Sequence, residues 1–271
     1  MAMVKRFNAY HRILHVAMAI SFIGLVASGM PIKYAQAPWA VWLTKFLGGY
    51  HAAALIHRIC AVITFGYFAA HIAYVIHNVV VVRKLKFNPL GPDSMVPWIK
   101  DLEDIINNFK WFLGMGPRPV FDRWTYWEKF DYWAVFWGVG MIGVSGLFLW
   151  FPEFFSRFMP GWAFNIATVI HSDEALLAAG FIFTIHYFNT HMRPDKFPMD
   201  PVIFTGTLTL DELKHERPLE YERLVAENRF DQYRAEPQPT WITDAGIIFG
   251  FIIVLIGFLL LTLIILGQFV Y

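Results

Sequence analysis

Three histidines interrupt the apolar stretch at 170–194, IHSDEALLAAGFIFTIHYFNTHMRP. Ionisable side chains are costly inside a bilayer, so each one demands a partner or a task. His171 and His186 are fifteen positions apart, about 60° of rotation and roughly 22 Å of rise on an α-helix. A second stretch, LIHRICAVITFGYFAAHIAYVIHN, holds His57 and His71 fourteen apart, about 40° out of register and roughly 21 Å separated. Histidines at two depths on two apolar helices suggest two stacked cofactors. Imidazole is a standard axial ligand of haem iron and a four-helix core a standard container, so the pattern points to two bis-histidine b haems.

The elements that must position these residues follow from hydropathy. The chain has 271 residues, 57% of them hydrophobic, and several apolar runs reach the roughly 20 residues that a spanning helix needs. The runs predict five spans, at about 10–31, 52–82, 132–151, 163–191 and 247–269. The first begins without the features of a short cleavable signal sequence, and the last has no histidine. Between spans two and three, residues 98–113 place apolar side chains at helical period with charges between them. That pattern predicts an amphipathic helix lying on the membrane surface or against a partner. The expected fold is all-α and membrane-integral: a four-helix di-haem bundle plus a fifth transmembrane helix. Its expected division is a haem domain over 1–195, followed by a cytoplasmic segment and the last span over 196–271.

Composition excludes several chemistries. The net charge of +1 gives no electrostatic basis for nucleic-acid binding. One cysteine, Cys60, cannot form an intrachain disulfide, hold an iron–sulfur cluster or supply the Cys-x-x-Cys-His attachment of a c-type haem. No dinucleotide fingerprint or phosphate loop is present. The basic residues are distributed unevenly: three precede or begin span one, eight lie between spans two and three, and seven lie between spans four and five. By the positive-inside rule the N-terminus is expected to be cytoplasmic and the C-terminus periplasmic, in a bacterial or archaeal cytoplasmic membrane.

This orientation sorts the histidines by depth. His57 and His171 fall in the outer half, and His15, His71 and His186 in the cytoplasmic half. A bis-imidazole site needs ligands on facing helices at one level, which pairs His57 with His171. His186 is then one inner ligand, and either His15 or His71 is the other. Spacing alone leaves both open. His191 is about 140° around the helix from His186 and sits at the expected membrane edge with Arg193 and Asp195. Such a polar set could bind a quinone headgroup, menaquinone or ubiquinone, and exchange its protons; an interfacial anchor is the plainer role. Gly138, Gly143 and Gly146 read as helix-packing residues, and Asp173 and Glu174 as solvated acids beside the outer ligand.

The first 195 residues resemble the cytochrome b, or gamma, subunit of membrane-bound formate dehydrogenases and nickel–iron hydrogenases. The resemblance rests on His15 fourteen residues before Gly29 of a Ser-Gly pair, Ile56–His57, His77–Asn78, Ile170–His171 and Ile185–His186. It implies haem ligation by His57 with His171 and by His15 with His186. It also implies a quinone contact at the start of the third helix, around Lys129 and Asp131. The chain departs from that family in the fifteen-residue spacing of the span-four histidines, in the additional His71 and in the fifth helix. The expected function is electron relay between the quinone pool and a partner redox subunit, a periplasmic iron–sulfur protein or a multihaem cytochrome c. The competing expectation is a haem-free anchor, or a subunit that transports protons or a metal.

Overall fold

The computed structural model describes residues 2–270. The main elements are, in order, β1 (Met3–Lys5), α1 (Ala9–Lys33), α2 (Pro38–Phe46), α3 (Tyr50–Val82), α4 (Ile99–Phe112), α5 (Tyr126–Trp150), α6 (Gly161–Met192), β2 (Thr207–Thr209), α7 (Leu210–Glu216), α8 (Pro218–Ala226), β3 (Arg234–Ala235) and α9 (Thr240–Gly267), with single helical turns at Pro152–Phe155, Val202–Thr205 and Phe230–Tyr233. The protein is an all-α integral membrane protein, with α1, α3, α5, α6 and α9 each long and apolar enough to cross a bilayer. The third span starts six residues earlier than hydropathy suggests. Thr125 and Glu128 form a reciprocal cap there: the Thr125 N–H and hydroxyl both donate to Glu128 Oε2 at 2.8 Å, and the Glu128 N–H donates to Thr125 Oγ1 at 3.3 Å. Such a cap starts a helix regardless of the polarity of its first turn.

The chain forms two compact units that are not sequential blocks, unlike the division at residue 195 expected from sequence. One gathers the spans, over Ile13–Tyr74, Val135–Asp200 and the residues from Ile247 onward. Its core joins Val26 and Met30 of α1, Tyr34 just beyond it, Ala40 and Leu43 of α2, Ala179, Phe183 and Tyr187 of α6, and Leu260 and Ile264 of α9. The fifth span is thereby built into the bundle. Tyr187 Oη donates to the Ile253 carbonyl at 3.1 Å, satisfying a phenol that apolar surroundings would otherwise leave costly. By contrast α3 fully buries only Ala53 and Cys60 over Tyr50–His77.

The other unit assembles the N-terminal residues through Arg12 with Val75–Ala134 and Pro201–Gly246. These are the three segments that share one membrane side if all five long helices cross. Strand β1 lies centrally in a three-stranded antiparallel sheet of order β2-β1-β3, with Val4 opposite Leu208 and Arg234. Val4, Leu208 and Leu213 form its apolar centre. A buried ionic cluster adjoins it: Arg6 meets Glu220 at 3.0 Å, Arg123 meets the same carboxylate at 2.7 Å, and Arg217 meets Glu128 at 3.0 Å. Burial, with Arg123 adding repulsion, holds the Arg6 guanidinium down to about 10 against the pull of Glu128 and Glu220. Arg223 ties Asp122 at 2.7 Å and Asp93 at 3.0 Å, and those two carboxylates raise its pKa against the opposing effect of burial. The segment after span four, legible only as polar in sequence, is therefore folded against the N-terminus.

Candidate cofactor-binding site

The outer histidines meet. His57 of α3 and His171 of α6 have ring centres 6.0 Å apart, at an interplanar angle of 67°. Each ring is fixed from behind by a different helix. His171 Nδ1 lies 2.9 Å from the Ile142 carbonyl; a carbonyl only accepts, so Nδ1 carries the proton and Nε2 keeps its lone pair. Ser28 Oγ donates to the Gly24 carbonyl at 2.5 Å and lies 3.1 Å from His57 Nδ1. With its proton so used, the serine accepts from Nδ1–H, and His57 Nε2 is likewise left basic. Two glycines permit these positions: a Cβ on Gly29 would sit 3.1 Å from His57 Cε1, and one on Gly146 would sit 2.9 Å from His171 Cε1. Gly146 thus packs on a candidate ligand, more specifically than the general helix packing expected of it.

The inner candidates also resolve into a geometry. His15 of α1 and His186 of α6 have ring centres 6.5 Å apart and planes 38° apart. His71 instead sets its ring against Phe136 of α5, 6.2 Å away and nearly perpendicular. The unexpected feature is the backbone of α6, which is π-helical over Ile182–His186 and again over Phe188–Met192. A π turn absorbs one extra residue, so His186 stands relative to His171 as though fourteen α-helical steps away, about 40° in the opposite sense from the expected 60°. A third π turn, Val139–Gly143 of α5, contains Ile142. Its wider bonding pattern makes a carbonyl available to a side chain, which His171 uses.

The same distortion overturns the expectation that His191 faces away from His186. With one residue absorbed by the π turn, five residues carry the chain only about 40° past a full turn, and His191 lies near enough to both His15 and His186 for their charges to interact. It is only 7% exposed, and its Nδ1 is buried without a hydrogen-bond partner among the described residues. Asp200 also interacts with it and pairs with buried Lys196 at 3.0 Å. The i,i+4 spacing of Lys196 and Asp200 is the signal in the sequence for this pair. Arg193 leaves the helical region at φ −60° and ψ 147°, as the residue before Pro194 must.

Lys129 and Asp131 belong to the other compact unit. The Lys129 ammonium is buried against Asp101 at 2.9 Å, so a neighbour within the chain already occupies it. Asp173 and Glu174 lie within α6. Asp173 accepts from Lys33 at 2.7 Å and Glu174 from Trp137 Nε1 at 3.2 Å, which tie α6 to α1 and to α5.

Whether these histidines fit the expected group can be tested on spacing. A metal–imidazole bond is about 2.0–2.1 Å and the ring centre lies roughly 1.1 Å behind the nitrogen, so two imidazoles flanking one iron stand about 6.3 Å apart, centre to centre. The observed 6.0 and 6.5 Å bracket that value. Ring packing alone also spans this range; the Nδ1 tethers on the outer pair are what favour ligation. Among the described residues no three or more His, Cys, Asp or Glu come together as a metal group. Each pair therefore offers two donors, the number a porphyrin-bound iron takes from a protein, rather than the four of a structural zinc site. No family model matches the chain, and no curated protein matches it.

Proposed function

We propose that the protein is a di-haem b-type cytochrome subunit that relays electrons between the quinone pool and a partner redox subunit. The observation that carries this reading is the recurrence, at two levels of one bundle, of facing imidazoles at iron-bridging distance. His57 and His171 would hold one haem, and His15 and His186 the other. Bound there, haem supplies a one-electron carrier whose potential follows its ligands and surroundings. The chain's own contribution is to present Nε2 lone pairs, to lock the outer rings through Ser28 and the Ile142 carbonyl, and to hold the inner pair half-buried between apolar helices. The residues shared with the gamma subunits of formate dehydrogenases and nickel–iron hydrogenases support the same four ligands. The partner is then a periplasmic iron–sulfur protein or multihaem cytochrome c, and the Lys- and Arg-bearing connecting segments face the cytoplasm.

His191 supports the quinone half of this reading. A buried imidazole nitrogen left unbonded is costly, and a quinone oxygen would satisfy it. Asp200, within interaction range, is a carboxylate that can accept the proton and release it to water. Purified full-length protein should contain two b haems per chain by pyridine haemochromogen assay, both reducible by dithionite and by a quinol analogue. His191→Ala should keep both haems while quinol-driven reduction slows by about 100-fold, the usual loss for a positioned acid–base group. Colourless protein from haem-replete cells would refute the cytochrome reading, and unchanged quinol reduction in His191→Ala would remove that residue from quinone binding.

Gly146 gives a second check. Gly146→Val drives side-chain atoms into the His171 ring, whereas a Cβ on Gly138 of the same helix meets nothing closer than Ile142 Cδ1 at 4.0 Å. Haem content should fall toward one per chain in Gly146→Val and remain at two in Gly138→Val. Full occupancy in Gly146→Val would mean that His171 need not hold its observed position.

A further inference from the structure

Helix α4 is turned inside out. A helix on a soluble surface buries its apolar stripe and shows its polar one, yet here Asp101, Asp104 and Asn108 are buried while Ile99, Leu102, Ile106, Phe109 and Leu113 are each 46–72% exposed. On a helical projection the two sets are centred about 145° apart. A third face, with Lys100, Glu103, Asn107 and Lys110, is exposed and polar. Burial keeps the Asp104 carboxyl above its ordinary pKa despite its ion pair with Lys100.

What holds the buried polar face identifies what covers the apolar one. Asp101 binds Lys129 at 2.9 Å, Asn108 Nδ2 donates to Tyr126 Oη at 2.7 Å, and Trp133 Nε1 donates to the Met95 carbonyl at 2.9 Å. All three partners lie in the first turns of α5, a membrane-spanning helix. The helix and its leading loop are thus pinned at the depth where a span enters the bilayer. The connecting segments bring the chain from α3 and return it to α5, both of them spans. We infer that α4 is an interfacial membrane anchor, its Leu102–Ile106–Phe109–Leu113 face embedded at the boundary between headgroups and acyl chains. Its 14 residues lie along the membrane plane for about 21 Å. Trp98 and Trp111 near its ends, and lysines on the water-facing side, match the composition of such helices. By pairing its own Asp101 with Lys129, α4 lets a charge occupy the start of a span.

Spin labels test this in the full chain. In a Cys60→Ala background, single cysteines at Leu102, Phe109 and, as control, Asn107 carry nitroxides, and the protein is placed in phospholipid nanodiscs. Labels at 102 and 109 should be several-fold more accessible to oxygen than to a water-soluble nickel chelate, with the order reversed at 107. All three positions are exposed, so the labels leave the packing intact; helical circular dichroism confirms it. Greater nickel than oxygen access at 102 and 109 would overturn the inference. So would protection from both reagents, which would mean that a protein surface covers this face.

Discussion

Replacing His57 or His171 with alanine is expected to give a protein carrying one haem instead of two. Each supplies one of the two Nε2 donors of this pair, and each ring is individually tethered, His57 to Ser28 and His171 to Ile142. Removing either imidazole leaves one donor, and the intact ring cannot recruit a substitute. His15 and His186 form the other pair, so the second haem should persist with its spectrum unchanged. The measurement is haem per chain together with a reduced-minus-oxidised spectrum resolved by redox titration. One of two potentiometric components should vanish. Two haems in both variants would defeat the outer assignment, and loss of both would show that the two levels are not independent sites.

The second large effect discriminates between His15 and His71. Sequence spacing leaves these two competing for the position opposite His186, because both reach the same depth. The geometry separates them: His15 stands 6.5 Å from His186, while His71 is engaged edge-on with Phe136. His15→Ala is therefore expected to abolish the inner haem, and His71→Ala to retain two haems, with at most a modest shift in one potential. Haem stoichiometry and electron paramagnetic resonance of the low-spin ferric signals check both. The reverse outcome would place His71 on the iron and dismiss the α1 ligand.

The two variants also bear on why parts of this site were legible and parts were not. Histidine depth follows from counting residues along apolar runs, since each step in a helix advances a fixed rise. Azimuth does not follow so simply. The π turns at Val139–Gly143, Ile182–His186 and Phe188–Met192 shift side chains around the axis, and no residue type announces them. For that reason His191 read as facing away from His186, and the fifteen-residue spacing as a departure needing explanation. Ser28, the Ile142 carbonyl and Gly146 were invisible as supports for the outer rings because each comes from another helix, 29 or 25 positions from the histidine it contacts. The reversed amphipathicity of α4 was half visible. Its periodic stripe could be read, but which stripe faced inward depended on Lys129 and Tyr126.

Sequence alone determined the five spans, the two levels of imidazole and the confinement of most basic charge to three segments. These are local quantities, fixed by the bilayer's thickness and by the cost of placing charge in hydrocarbon. Tertiary structure decided which histidines face each other, that α9 packs into the bundle core, and that the N-terminal strand lies between β2 and β3 more than 200 residues downstream. Such pairings depend on close packing and hydrogen-bond satisfaction between segments distant in the chain, and hydropathy along one segment contains no information about its neighbours.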